Sequence, residues 1–162
     1  MSLSGLRAAV LGGGGAARAV AMALSSSGCR VTIHARHHGQ ADEIASLTSV
    51  TAGKFPPTRG SWDVLVNATS AGMYPSVDAT PIAAADLTGR VVYDLVYNPP
   101  ATRLLREAAA AGCETIGGLE MLVGQAQEQF EWWTGVRPTA EIMSQAALQR
   151  LAEFTRDEHH VV

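Results

Sequence analysis

Apolar positions along the chain fall into two alternating kinds of run. Short continuous runs, several rich in β-branched residues, read as buried strands: 6–11 with Ala8, Ala9, Val10 and Leu11, 30–34 with Val31, Thr32 and Ile33, and 62–67 with Val64, Leu65 and Val66. A weaker strand is predicted over 49–52, another over 90–96 and a last short one over 114–116. Between them lie helix formers with small side chains, from Ala16 to Leu24, closed by Gly28 after three serines. Further helices are predicted over 40–47 and over 102–111, the latter ending at Gly112, and two more over 119–134 and 139–156, parted by Gly135 and Pro138. Residues 54–60, with Pro56-Pro57, read as a polar loop, and 69–86, with Gly72, Pro75 and Pro81, as a loop holding a short helical turn. Strands that are apolar on both faces belong to parallel sheets. Their alternation with helices predicts one α/β domain over 1–162: a doubly wound parallel sheet, right-handed crossovers, helices on both faces and two further helices at the C-terminal end.

Composition narrows the partners. With 47% apolar and 17% charged residues the chain is too apolar for disorder, and a net charge of −3 offers no basic surface for nucleic acid. No apolar run approaches the length of a membrane span, and residues 1–7 lack the pattern of a secretory signal. Cys29 and Cys113 stand far apart, outside any metal-binding spacing, which fits reduced thiols and a cytoplasmic protein.

The sharpest signal is the turn after the first strand. Gly12-Gly13-Gly14-Gly15-Ala16-Ala17 fits G-x-G-x-x-A, and it sits between a strand and a helix of a βαβ unit, the context in which that pattern binds a dinucleotide. In this Rossmann-type arrangement Gly12 permits the tight turn, Gly14 the close approach of backbone to pyrophosphate, and Ala17 close helix–strand packing, while amides of the helix start hold the anion. The end of the second strand selects the cofactor. NAD sites place an acid there; here the chain reads His34-Ala35-Arg36-His37-His38 with no acid before Asp42. Arg36 offers a planar charged fork for a 2′-phosphate, so NADP is expected over NAD. The three histidines read as solvated loop residues that add attraction when protonated beside a phosphate. No cysteine or carboxylate cluster completes a zinc site with them, and no metal is expected.

Four further stretches resemble the dinucleotide-binding half of shikimate dehydrogenases: Asn67-Ala68-Thr69-Ser70-Ala71-Gly72-Met73, Tyr93-Asp94-Leu95-Val96-Tyr97-Asn98-Pro99, Thr102-Arg103-Leu104-Leu105, and Gly117-Gly118-Leu119-Glu120-Met121-Leu122-Val123-Gly124-Gln125-Ala126. They come after the glycine turn in the family's order. The run from Gly118 through Gln125, Gln129, Phe130 and Glu131 to Thr134-Gly135 looks closest to the dehydrogenase part of fused dehydroquinate dehydratase and shikimate dehydrogenase proteins. The resemblance implies an NADP-binding domain of an enzyme that reduces 3-dehydroshikimate to shikimate, in aromatic amino-acid biosynthesis. Its cofactor contacts would be Gly12, Gly13, Gly14, Gly15, Ala16, Arg36, Asn67, Ala68 and Thr69, with Leu95 and Gly118 on the nicotinamide side, where Gly118 lets its backbone approach the ring. Tyr97 and Gln125 match substrate contacts.

The chain departs from the family in two places. The family's second-strand motif, Asn-Arg-Thr with another arginine beyond, reads here Ala35-Arg36-His37 with Gln40, so one arginine remains. The family's N-terminal substrate domain, which carries the catalytic Lys and Asp, has no counterpart here. The one lysine, Lys54, lies in a proline-rich loop, and Asp94 reads as structural, so no catalytic residue is assigned and the isolated domain is expected to be inactive. A stand-alone, non-catalytic dinucleotide-binding or regulatory module, and part of a quinate dehydrogenase, are the alternatives. Apolar residues of the last helices, among them Ile142, Met143, Ala146, Leu151, Phe154, Trp132 and Trp133, predict self-association there or a swap of the last helix.

Overall fold

A computed structural model describes residues 2–158 of the chain, with the side chains of 2–153. Six strands, β1 (Arg7–Leu11), β2 (Arg30–His34), β3 (Thr51–Gly53), β4 (Val64–Asn67), β5 (Val91–Asp94) and β6 (Glu114–Ile116), form one sheet in the order β3-β2-β1-β4-β5-β6. Every pairing is parallel. The helices are α1 (Gly15–Ser26), α2 (His38–Leu47), α3 (Arg103–Ala110), α4 (Gly118–Thr134) and α5 (Ala140–Glu158), with a 3-10 turn at Ala84–Asp86. The chain winds outward from β1 to β3, then returns to lay β4 on the other edge of β1. Between these two neighbours the winding reverses, and in parallel sheets ligands collect at the carboxyl ends of such a pair.

Alternation along the strands builds two cores. Ala8, Val10, Val31, Ile33, Val64, Val66 and Val91 face one way and meet Ala17 and Ala21 of α1 and Ala41 and Ile44 of α2. Ala9, Leu11, Leu65 and Val92 face the other way, against Leu104, Leu105 and Ala108 of α3 and against Trp62, Ile82 and Leu87. Ala17 and Ala21 are fully buried; methyl-sized side chains let α1 lie close on the sheet and bring its start against the strand ends. Met121 of α4 packs on the first core. The doubly wound sheet with helices on both faces is therefore as expected, and so is the loop over 54–60. From β3 to β4 the chain crosses as a loop, so α3 is the helix packed into the second core.

Strand limits differ from the sequence reading where side chains intervene. The strand expected over 90–96 stops at Asp94, because that carboxylate turns back to accept the N–H of Val96 at 3.1 Å. The strand expected over 62–67 begins at Val64, and Asp63 is used differently: Arg7 grips it through Nε and Nη2 at 3.0 and 2.8 Å, and its oxygen also accepts the Arg7 amide at 2.9 Å. This pair fastens the start of β1 to the start of β4, and the guanidinium holds the Asp63 carboxyl at about 2, below its ordinary 3.8. A carboxyl depressed by folding adds stability above its ordinary value and loses it as pH falls from about 4 towards about 2. Urea midpoints at pH 5 and pH 2.5 should therefore drop more for the parent chain than for Asp63→Asn; equal drops would remove this pair from the acid response. The effect is modest, because both side chains are partly exposed.

At the C-terminal end α5 packs on α4, and their turn is tied by Arg137 to Glu128 and Glu131 at 2.7 and 2.6 Å. Beyond the start of α4, which packs on the sheet, the pair carries exposed apolar residues: Trp132 is 84% exposed, Trp133 70% and Ile142 64%. The side chain of Phe154 lies outside the described residues. Among the described residues no helix is long and apolar enough to cross a membrane, and no group of metal-ligating side chains gathers.

Candidate functional site

Register places the last residues of the central strands in one row: Leu11 is opposite His34 on one side and Asn67 on the other, and Asn67 is opposite Asp94. The sequence-predicted residues emerge just beyond this row. Gly12 has φ +125 and donates its N–H to the His34 carbonyl at 2.9 Å; a methyl group there would stand 2.8 Å from the Ala68 carbonyl oxygen. Glycine is thus required twice, by backbone conformation and by the approach of the β4 end. Gly14 caps α1 without any side-chain bond, and the helix ladder starts only at Arg18 N–H to Gly14 C=O, 3.1 Å. The first-turn amides precede that bond, and side chains at Gly14 or Gly15 would meet no atom within 4 Å. This cradle fits a pyrophosphate.

Two adjoining cavities open beside the turn. One of about 200 Å³ is lined by Gly12, Gly13, Gly14, Ala35, Arg36, His37, Gln40, Phe55, Ala68, Thr69 and Ser70. The next, about 340 Å³, runs along Arg36, Phe55, Thr69, Ser70, Ala71, Ser76, Ala79, Thr80 and Pro81. Arg36 and Phe55 border both, and neither lining contains a carboxylate. Among the described residues Arg36 is in no ion pair. Gln40 lies over the turn, so close that a side chain on Gly13 would collide with its Cβ and Oε1. An unpaired cation in an acid-free cleft, across from open amides, is a site for an extended anion.

The histidines separate. His34 is not a loop residue: it is buried at the end of β2, its Nδ1 is 2.7 Å from the Lys54 carbonyl, and burial lowers its pKa. Its ring lies against Gly53, where a side chain would meet Cε1 at 2.6 Å. His38 pairs with Asp42 at 2.9 Å, leaving His37 to border the cleft.

Asn67, expected to line the cofactor crevice, is fully buried and its side chain is spent inward. It donates to Asp94 Oδ1 at 2.9 Å and accepts from the N–H and hydroxyl of Thr69 at 3.0 and 2.6 Å. Ala68 and Thr69 are the residues that reach the cleft. Asp94 braces this corner: besides Asn67 and Val96, the Thr102 hydroxyl donates to it at 2.6 Å. Thr102 in turn caps α3 by accepting Leu105 N–H.

At Gly118 the structure gives its own reason for glycine, beside the one the resemblance implies. The glycine is buried, and a methyl group on it would lie 2.3 Å from the Leu95 carbonyl oxygen and 2.7 Å from the Val96 carbonyl carbon. Its bareness is demanded by the β5 end behind it. Tyr97 is 38% exposed and Gln125 lies exposed on α4. Phe55 and the 76–81 segment were not legible as site residues; a phenylalanine after a lone lysine carries no pattern that would single it out.

Comparison with known proteins gives these positions a setting. Residues 118–148 match the family model described as the Shikimate 5'-dehydrogenase C-terminal domain. The shikimate dehydrogenase (NADP(+)) of Methanosarcina mazei is 43% identical, with 93% of this chain and 58% of that protein covered. Among solved structures, a shikimate dehydrogenase in complex with NADP+ is 36% identical with a TM-score of 0.83, covering 91% of this chain and 55% of that one. The Thermus thermophilus shikimate 5-dehydrogenase in complex with NADP(H) and shikimate is 39% identical with a TM-score of 0.82, covering 92% and 56%. The chain thus spans less than three-fifths of the length of these relatives.

Proposed function

We propose that this chain, which has the sequence and fold of a shikimate dehydrogenase C-terminal domain, is the NADP-binding part of an oxidoreductase that interconverts 3-dehydroshikimate and shikimate. The observation that carries the reading is Arg36, unpaired in an acid-free cleft that continues into the glycine turn. In this reading Gly12 makes the turn, the amides of 13–16 hold the pyrophosphate, Arg36 takes the 2′-phosphate, and Ala68 and Thr69 wall the cleft. Asn67 acts from behind by fixing Thr69. Leu95 and Gly118 border the nicotinamide, and Tyr97 and Gln125 offer a phenol and an amide to substrate hydroxyl or carboxylate groups. NADP supplies the hydride chemistry when bound; the chain supplies orientation and electrostatics.

Proton transfer to the carbonyl oxygen needs a positioned acid within hydrogen-bond reach. Asp94 is enclosed by its own partners and Lys54 stands on the crossover loop, so we place that acid, with most substrate contacts, in a separate substrate domain. The expected result is that the chain alone binds NADP+ and NADPH and shows no shikimate-dependent NADP+ reduction, whereas joined behind the N-terminal two-fifths of the Methanosarcina mazei relative it gains that activity. Turnover by the chain alone would overturn the division of labour. Oxidation of quinate in preference to shikimate by the joined protein would move the substrate assignment, and a silent joined protein that still binds NADP+ would favour a non-catalytic module.

The bare face of α4 and α5 belongs to the same reading. We propose that, without a partner domain, two copies cover Trp132, Trp133 and Ile142 against each other. Sedimentation at tens of micromolar, the range of weak interfaces, should show a dimer that Trp132→Ser/Trp133→Ser dissociates; a monomer in the parent chain would refute it.

A further inference from the structure

We propose that Asp94 is an ionised, buried carboxylate whose charge makes the site prefer the oxidised, cationic nicotinamide over the reduced, neutral one; this rests on the proposed cofactor site. Asp94 is fully buried at the end of β5, one residue before Leu95, whose carbonyl abuts Gly118. Its hydrogen-bond set is that of a carboxylate. Oδ1 accepts from the Asn67 amide at 2.9 Å and the Val96 N–H at 3.1 Å, and Oδ2 from the Thr102 hydroxyl at 2.6 Å. Asn67 and Val96 present only N–H groups. Thr102 already accepts the Leu105 N–H at 3.2 Å, which directs its own proton to Asp94. Three donors converge, and none of the six ion pairs among the described residues includes Asp94. The first turn of α3, which Thr102 caps, adds a fixed positive potential. Burial, the largest influence, leaves the Asp94 carboxyl raised from its ordinary value, while these three bonds pull it back down.

A charge held so is screened little by salt. Hydride removal from the reduced ring leaves a cation, so a fixed negative charge beneath the Leu95–Gly118 edge is felt by one redox form and not by the other. Attraction between unit charges at an effective dielectric of about 20 is strong enough to change a binding ratio by about tenfold. Glu120, in the first turn of α4, is the other acid nearby, close enough to act on the Tyr93 phenol, but it is exposed and open to salt.

Calorimetric titration of the chain with NADP+ and NADPH tests this. Asp94→Asn keeps the shape and loses the charge, and should raise Kd for NADP+ relative to Kd for NADPH by about tenfold, in 0.5 M salt as in 0.1 M. Thr102→Val loosens the same network but keeps the charge, and should weaken both forms alike. Glu120→Gln should move the ratio less than twofold, and only at low salt. Where Asp94→Asn does not fold, Asp94→Ser removes the charge with less bulk and carries the same expectation. A ratio unmoved in the neutral variants, or moved equally in Thr102→Val, overturns the inference while leaving the cofactor reading intact. A parent chain that binds neither form overturns both.

Discussion

Arg36→Ala lowers the affinity for NADP+ by about 10- to 100-fold and leaves that for NAD+ within about twofold, which removes the preference for the phosphorylated cofactor. The magnitude comes from hydrogen bonds to a charged group, about 1.5–3 kcal/mol when lost, at about 1.4 kcal/mol per tenfold. Arg36 lies exposed at the junction of the two cavities and has no ion pair, so its removal leaves no buried charge unpaired and little reason for the fold to respond. Arg36→Lys should recover part of the affinity, because an ammonium keeps the charge but not the fork. Competitive titration of the two cofactors gives the ratio directly. An unchanged preference in Arg36→Ala would transfer the 2′-phosphate to His37 or Gln40, which line the same cavity.

A second large effect is expected in α4, where two glycines respond with opposite sign. Gly118→Ala drives a methyl group into the Leu95 carbonyl at 2.3 Å, against backbone on both sides of the peptide, and the β5 end has to shift. The cost is about 3 kcal/mol or more, some 6–12 °C in melting temperature for a chain of this size. Gly124→Ala, six residues further along the same helix, meets no atom within 4 Å and should stabilise by about 0.5–1 kcal/mol, the ordinary helix gain of alanine. Thermal melts of the two variants decide it. Similar melting temperatures would show that the β5 end yields freely, and the tight seat assigned to Gly118 would be lost.

How far the site was legible depends on whether a residue acts through its neighbours in sequence or across the sheet. The glycine turn is local: strand, turn and helix succeed each other within one βαβ unit, and 12–17 carry the pattern themselves. Arg36 was readable for the same reason, standing directly after β2 where an acid would otherwise select NAD. The bracing role of Asn67 and the partners of Asp94, itself read as structural, were not, because the pairing of Asn67, Asp94 and Thr102 spans two strands and a helix cap. Read singly, a polar residue at a strand end is as good a ligand contact as a brace, and only the register that sets Asn67 opposite Asp94 decides between them. His34 misled in the same way, since its partner is a carbonyl 20 residues later. At Gly118 the family pattern marks the position, whereas the Leu95 carbonyl that forbids a side chain comes from the neighbouring strand end and shows only in the structure. Two strand limits slipped where a side chain captured a backbone amide, as Asp94 does with Val96 and Asp63 with Arg7.

The fastening of β1 to β4 through Arg7 and Asp63 also sets a timetable for synthesis. The two residues are 56 apart, whereas β1 meets β2 after a single helix. A chain leaving the ribosome can therefore pair one edge of β1 early, while the other edge waits, with Ala8 to Leu11 unclaimed, until β4 has emerged. Contacts of such separation are slow to close, and an unpaired strand edge is what neighbouring nascent chains find first. Slower translation over residues 35–63 should then lower the yield of folded protein, and holding that edge covered until Asp63 arrives is the step at which a chaperone helps most.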